Sequence, residues 1–408
     1  MKDRDSLGTA RLGASSVVIL LVLVVLSGGA SAGRSPSLIA TDLGTLGGPE
    51  SDASAINRSG QVVGAADFRG GGGDYDAFLW SKGKMVDLGR LAPNDPDTDS
   101  KALAVNDSGQ VVGWSNTGFG DLVAHGVLWS GGKLTDLGAL GGQEFDSTAN
   151  DINNAGQIVG WSDTGSGDMV FTHAVMWSQG KMIDLGTLGT YRESYASAIN
   201  DAGQIVGSSW SITTSGGKTT LAEHAVLWAD GKITDLGTLH GGCSGAADIN
   251  DHGRVVGSSG SCTRKGRVRA VSWWHGKVTN LGTLGRKRSY ASGINNRGQV
   301  VGWTYTPKHV PDHAFLWSRG RIHDLGSLYG TLCCADSYAW GINDSGQIVG
   351  SSWVLDRHID GPHAVLWRKG KGVTVCYRKQ TTRVTKQIAS WLRKRGAKPG
   401  ACRKPKKR

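Results

Sequence analysis

The phrase Asn-x-x-Gly-Gln-Val/Ile-Val-Gly returns seven times with small variations, and it limits the possible folds more than anything else in the chain. Its anchors are Asn57, Asn106, Asn153, Asn200, Asn250, Asn295 and Asn343, spaced 49, 47, 47, 50, 45 and 48 residues apart. A period in this range marks supersecondary units that bury their apolar faces only against one another. In the third copy four extended pieces stand out, at 147–153, 157–162, 173–178 and 181–188. The first turn, Asn153-Asn154-Ala155-Gly156, supplies Asn and Gly where a tight hairpin needs positive φ. The second, Ser178-Gln179-Gly180-Lys181, has a Gly that recurs as Gly83, Gly132, Gly231, Gly276 and Gly320. The abundant Gly, 63 residues in all, therefore reads as turn chemistry rather than disorder.

Strands such as His173-Ala174-Val175-Met176-Trp177 are apolar on both faces, as in stacked small sheets. No stretch of 33–370 keeps a helical period. The expected fold is all-β: a seven-bladed β-propeller of four-stranded blades. The ends of the array support closure. Residues 38–44 match the fourth-strand pattern Lys232-Ile233-Thr234-Asp235-Leu236-Gly237, while the last copy stops after its third strand, His363-Ala364-Val365-Leu366-Trp367. The N-terminal strand is thus expected to complete the last blade and leave no open edge. An open β-solenoid or a β-prism has no reason for that offset.

Residues 1–32 read as a signal peptide, with Lys2, Arg4 and Arg11, an apolar run at 17–26, and Ala30-Ser31-Ala32 at the cleavage position. Retention as an uncleaved anchor is the alternative. The net charge of +11 divides unevenly. Residues 368–408 hold 16 Lys and Arg and no Asp or Glu, whereas 33–367 hold 26 basic against 32 acidic residues. Residues 33–370 form the expected propeller, and 371–408 a basic C-terminal module and tail, the part that calls for an anionic partner. Of the six Cys, pairing Cys243 with Cys262 and Cys376 with Cys402 is the simplest connectivity. Cys333 and Cys334 form either a vicinal disulfide or two buried thiols. No Cys spacing resembles a zinc site.

Three linked motifs recur through residues 36–370. They are exemplified by His313-Ala314-Phe315-Leu316-Trp317, Gly231-Lys232-Ile233-Thr234-Asp235-Leu236-Gly237 and Ile199-Asn200-Asp201-Ala202-Gly203-Gln204-Ile205-Val206-Gly207. Together they resemble the HAF family of extracellular repeats. The resemblance implies an exported, mostly bacterial repeat protein with a β-propeller fold, and brings no activity to transfer. Residues 373–402 resemble a small Cys…Cys module at the ends of exported bacterial proteins, with Tyr377 where that module usually has His.

His125, His173, His224, His313 and His363 share one strand position, and Asp76 and Arg269 replace them in two copies. Repetition at equal radius argues for imidazoles bonded between neighbouring strands rather than a metal ring. The aspartates Asp42, Asp87, Asp136, Asp184, Asp235 and Asp324, with Asn280 in the seventh place, read as turn caps. Asp95-Pro96-Asp97-Thr98-Asp99 alternates carboxylates like a calcium loop but lacks its Gly and Glu, so a solvated acidic loop is expected. The aromatics give the better lead. Seven Trp are third-strand residues. Trp114, Trp161, Trp210, Trp303 and Trp353 follow the Val-Gly of strand two, where the chain enters its most variable loop. With Tyr195 and Tyr290, and also Tyr305 and Tyr338, they either offer stacking platforms for sugar rings or cap the core between blades.

Nucleophile-elbow, phosphate-loop and dinucleotide motifs are absent. The expectation is an exported, non-catalytic binding or scaffold protein of the cell envelope or exterior, monomeric, without cofactor or metal. It would engage an unknown protein or polysaccharide through the variable-loop face, and an anionic surface or envelope polymer, not a specific nucleic acid, through its tail. The alternatives are a polysaccharide lyase or glycosidase at the channel mouth, drawing on Tyr75, Asp76, Arg269 and His309, and a purely structural spacer.

Overall fold

The computed structural model describes residues 38–68, 74–118, 123–165, 170–215, 218–263, 266–305, 311–329, 335–353, 361–377 and 380–402. The expected signal peptide, His309, Cys333, Cys334 and the basic end from 403 lie outside the described residues.

The described residues are all-β apart from one helix, Lys386–Lys394. They form seven four-stranded antiparallel sheets and one three-stranded sheet. Six of the seven use consecutive strands. The third sheet, for example, runs Ser147–Ile152, Ile158–Asp163, Thr172–Ser178 and Lys181–Asp184. The seventh takes Ser337–Ile342, Ile348–Trp353 and Pro362–Lys369 from the last copy and Leu38–Asp42 from the start of the chain. That pairing is antiparallel, with Leu38 opposite Lys369 and Asp42 opposite Val365. Sheets succeeding one another in this way make a β-propeller architecture.

The core lies between sheets. Val63 and Ala77 of the first sheet pack with Val111, Val127 and Trp129 of the second. Val62 and Phe78 of the first also pack with Val349, Ala364 and Leu366 of the seventh. Five of the seven third-strand Trp are buried, and Trp80 and Trp317 are half-buried against the same core.

The anchor asparagines have a role beyond the turn. Of each Asn-x-x-Gly tetrad only the Gly takes positive φ. The Asn Nδ2 donates to the carbonyl of the next anchor: Asn57 to Asn106 at 3.0 Å, Asn106 to Asn153 at 3.2 Å, and so on to Asn343, which returns to Asn57 at 3.0 Å. Meanwhile Oδ1 accepts from the backbone N–H four residues on, as from Gln61 and Gln347. The second turn is the one that needs two positive φ values, at Lys82-Gly83, Gln179-Gly180, Asp230-Gly231, His275-Gly276 and Arg319-Gly320.

Each innermost strand carries a β-bulge, as between Ala149 and Asp151 and between Ala339 and Gly341. The bulge brings its backbone against the Gly of Val-Gly in the second strand. A Cβ on Gly160 would meet the Thr148 carbonyl at 1.8 Å, and one on Gly350 the Tyr338 carbonyl at 1.9 Å. These glycines permit a close approach and are not turn residues, which corrects the reading of all the recurrent Gly as turn chemistry.

A buried serine in the innermost strand clamps neighbouring sheets. Ser51 Oγ accepts from Ala364 N at 2.9 Å and donates to Gly44 O at 2.7 Å; Ser147 does the same with Gly126 N and Gly138 O.

The C-terminal module pairs Val373–Tyr377 with Gln380–Val384 and Lys398–Pro399, and the Cys376–Cys402 disulfide staples it. Thr385 caps the helix by accepting from Ile388 N. Val375, Val384, Ala389 and Leu392 join the core of the seventh sheet, and Trp391 packs on Tyr329 with ring centroids 5.0 Å apart. The module is therefore part of the fold and not a loose tail.

Candidate functional site at the loop face

In every sheet the connection between strands two and three leaves from the end opposite the two hairpin turns, together with the passage to the next sheet. The repeats diverge at this loop end. The same innermost-strand position is held by Asp52, Lys101, Thr148, Tyr195, Gly245, Tyr290 and Tyr338, whereas the flanking Ser and Ala recur. Position for position, the scaffold repeats and this ring does not.

Around it the aromatics fall into separate groups. Tyr195 touches Trp161 of the preceding sheet edge-on, with centroids 6.0 Å apart, and stacks on Trp210 of its own sheet at 6.3 Å and 12°. Trp303 stacks on Tyr290 at 4.5 Å and meets Tyr338 of the next sheet at 5.4 Å. Tyr338 in turn stacks on Trp340 at 5.9 Å and 7°. Trp340 Nε1 donates to Asp52 Oδ1 at 3.0 Å, and Asp52 Oδ2 pairs with Lys101 at 3.3 Å. A continuous wall thus runs Tyr290, Trp303, Tyr338, Trp340, Asp52, Lys101 across the sixth, seventh, first and second sheets.

Trp114 meets Tyr75 edge-on at 6.1 Å, apart from both groups. Trp353, 37% exposed, joins neither group. The nine aromatic residues singled out from sequence therefore do not form one patch. All but Trp353 are half-buried. Trp340, the residue extruded by the bulge, was not legible in the sequence, because its orientation depends on a register shift that no local motif announces.

A cavity of about 240 Å³ opens at the same end, lined by Glu50, Asp52, Asp67, Tyr75, Lys101 and Pro362 among others. Burial, reinforced by Asp67, raises the Glu50 carboxyl above its usual range; burial also raises Asp67. Burial and Asp99 raise the Tyr75 phenol. Glu223, beside the small Gly245, is likewise raised by burial. Asp76 and Arg269, the other described residues considered for catalysis, do not join Tyr75. Asp76 is locked to Arg90 at 2.9 Å, and Arg269 Nη1 donates to the carbonyls of Val268 and Lys287.

The recurrent His and Asp turn out to be partners. Nδ1 of His125, His173, His224, His313 and His363 lies 2.9, 2.8, 2.6, 2.8 and 3.0 Å from Asp136, Asp184, Asp235, Asp324 and Asp42. Each of these Asp also caps the Gly N–H two residues on. Both groups are structural, as expected. The bond from His173 lowers the Asp184 carboxyl and is itself what raises the imidazole. In the alternating acidic loop, Asp95 caps Asp97 N and Asp99 accepts from Tyr75 N, so two of its three carboxylates serve the local fold.

At the opposite end a cavity of about 190 Å³ is lined by residues of all seven anchor turns. Just inside it, Asp151 Oδ2 accepts from Ile199 N and Asp248 Oδ2 from Ile294 N, each across a sheet boundary. Burial pushes Asp151 up to about 6 and, with Asp151 nearby, Asp248 up to about 8.

No family model matches the chain, and no curated protein matches it in sequence. Solved structures do. A puromycin-hydrolysing peptidase from Mycobacterium tuberculosis is 10% identical with a TM-score of 0.50, over 81% of this chain and 54% of that one. A PL25 ulvan lyase is 10% identical with a TM-score of 0.44, over 81% of this chain and 96% of that one. TolB from Acinetobacter baumannii is 10% identical with a TM-score of 0.38, over 73% and 77% of the two chains. The chain spans about half the length of the peptidase it matches. At this identity the likeness speaks to fold alone.

Proposed function

We propose that this protein is an exported, non-catalytic binding protein: a closed seven-bladed β-propeller of HAF-type repeats that engages a polysaccharide or protein through its loop face. One observation carries the reading. The wall Tyr290, Trp303, Tyr338, Trp340 spans neighbouring sheets at the level where the repeats diverge, and it runs on into Asp52 and Lys101, which stand where three other copies carry Tyr. Scaffold residues repeat because each sheet meets the same neighbour, and a binding surface departs from repetition because its ligand does not share that symmetry. Half-buried aromatic rings beside a charged pair suit a saccharide, which offers apolar C–H faces and hydroxyl edges together. Export rests on the leader at 1–32 and accords with the disulfides Cys243–Cys262 and Cys376–Cys402. The C-terminal module, whose nine described Lys and Arg among 368–402 face no Asp or Glu of their own segment, would hold the protein on an anionic envelope polymer.

A second reading, a polysaccharide-acting enzyme, draws on the cavity where Glu50 and Asp67 stand beside Tyr75 and Lys101. Its weakness is that Asp52 is already committed to Trp340 and Lys101. A glycan array followed by product analysis separates the readings. Retention without shortened products supports binding, and cleavage transfers the site to the enzyme reading. A purely structural spacer predicts no retention on any glycan, and a protein ligand then remains the only form of the binding reading.

A further inference from the structure

Between Asp251 and Asp312 the sequence holds eleven Lys and Arg and not one Asp or Glu, inside a body that is otherwise rich in acid. The fold gathers part of this excess on the loop face. Residues 266–267, which lead into Val268–Trp274 of the fifth sheet, lie beside the passage into the sixth sheet, which begins with Arg288–Ile294. Guanidinium groups tie the two segments together. Arg269 Nη1 donates to the Lys287 carbonyl at 2.8 Å, and Arg288 Nε donates to the Gly266 carbonyl at 3.1 Å. These reciprocal bonds bring Arg267, Arg269, Arg286, Lys287 and Arg288 into one patch. The Cys243–Cys262 disulfide, Cα atoms 5.0 Å apart, pins the chain just past Val255–Gly260 to the innermost strand beneath it.

Among the described residues, none of these five cations pairs with a carboxylate. Arg267 and Lys287 are exposed and the other three half-buried. Like charges gathered without counter-charges repel one another, and an external anion relieves that repulsion. The aromatics of the sixth sheet adjoin the patch: the Arg288 guanidinium lies 5.6 Å from the Tyr305 ring, and the Tyr290–Trp303 stack follows on the same sheet.

We infer that the loop-face sector of the fifth and sixth sheets binds an acidic polysaccharide, its carboxylate or sulfate groups held by Arg267, Arg286, Lys287 and Arg288 while its sugar rings rest against the Tyr290–Trp303 pair. This deepens the proposed binding function and rests on it. Guanidinium groups meet carboxylate and sulfate in a planar fork. Nucleic acid is a poorer fit. Tyr290 and Trp303 form one stacked pair and Arg288 covers Tyr305, so successive bases lack a row of ring faces, whereas a sugar ring needs only the outer side of that pair.

The test uses the full chain in affinity electrophoresis against polygalacturonate, its fully methyl-esterified form, dextran sulfate, dextran and a single-stranded oligothymidylate. Retention by the acidic polymers over their neutral counterparts is expected. The Arg267→Ser/Arg286→Ser/Lys287→Ser variant should lose about tenfold or more in apparent affinity and show a shallower salt dependence. Its circular dichroism should be unchanged. Lys394→Ser/Lys398→Ser, which removes charge from the C-terminal module, should lose less. Equal retention on neutral and acidic forms overturns the acidic-polymer assignment while leaving loop-face binding in place. A triple variant that binds as the parent does, or a C-terminal variant that loses the most, overturns the sector. Stronger retention by the oligonucleotide, sensitive to the same three substitutions, replaces polysaccharide with nucleic acid. Retention by none of the polymers removes this inference together with the glycan form of the proposed function.

Discussion

The side-chain amide of Asn343 donates to the backbone carbonyl of Asn57 at 3.0 Å, across 286 residues of sequence. It closes a circuit of seven such bonds, and both partners are buried. Asn343→Ala removes that donor, leaving the Asn57 carbonyl with Gly60 N alone, and also removes the acceptor used by Gln347 N. The expected loss is about 3 kcal/mol, read as a lower urea midpoint with unchanged slope. Ser345→Ala, at the exposed part of the same turn, should cost less than about 1 kcal/mol.

Two kinds of glycine should respond differently to alanine. At Gly350 a Cβ would sit 1.9 Å from the Tyr338 carbonyl, and the backbone on both sides is held by the sheet. Gly350→Ala should cost on the order of 4 kcal/mol or abolish soluble protein. Gly276 has φ of +71° and open space around its Cα. There Gly276→Ala pays only for left-handed backbone, about 1 kcal/mol. Thermal unfolding of the pair decides. Equal losses would mean that the bulge relaxes easily.

Stability should fall as pH rises from about 4 to about 8. Asp248 is pushed up to about 8 and Asp151 up to about 6, both above the ordinary carboxylate value. Across that window the folded protein holds protons that the unfolded chain has released. The stabilisation is therefore complete in acid and drains away as these carboxyls ionise. Asp248→Asn, which keeps one acceptor and cannot ionise, should flatten the decline between about pH 5 and about pH 9 in urea melts. An unaltered slope would place the titration elsewhere.

Charge on the C-terminal module should add to retention on anionic supports. Lys386, Arg393, Lys394 and Lys398 are exposed. Replacing all four by Ser should lower the salt needed for elution from a sulfonate column while leaving the melting temperature within a few degrees. Truncation is the poorer experiment, because Val375, Ala389 and Leu392 belong to the core of the seventh sheet.

Much of the fold could be read from the sequence because it follows from repetition. The spacing of Asn57 to Asn343, the absence of a helical period and the fourth-strand pattern at 38–44 point to stacked four-stranded sheets with the first strand joined to the last copy. His173 and Asp184 were legible as structural residues for the same reason. Their pairing across eleven positions was not, since it depends on which face two strands share. The serine clamp of Ser51 and Ser147 was missed because serine in a strand has no periodic signature; its partners lie in the adjacent sheet. The anchor Asn were assigned to turn conformation, a local cause, when a distant carbonyl also holds them. At the candidate site, Trp161, Tyr195 and Trp303 were visible as aromatics. Trp340 and the cation patch of Arg267 and Lys287 were not, because a bulge and a junction between sheets bring them into place.

Because Leu38–Asp42 pairs with Pro362–Lys369, the earliest part of the body to leave the ribosome needs a partner made more than three hundred residues later. Six sheets can form in order of synthesis while the seventh waits, and loop closure over that length is slow relative to local hairpins. During the wait the open flank of the first sheet, with Val62 and Phe78, is unprotected, and a chaperone or translocation partner that shields it would set the yield of finished protein.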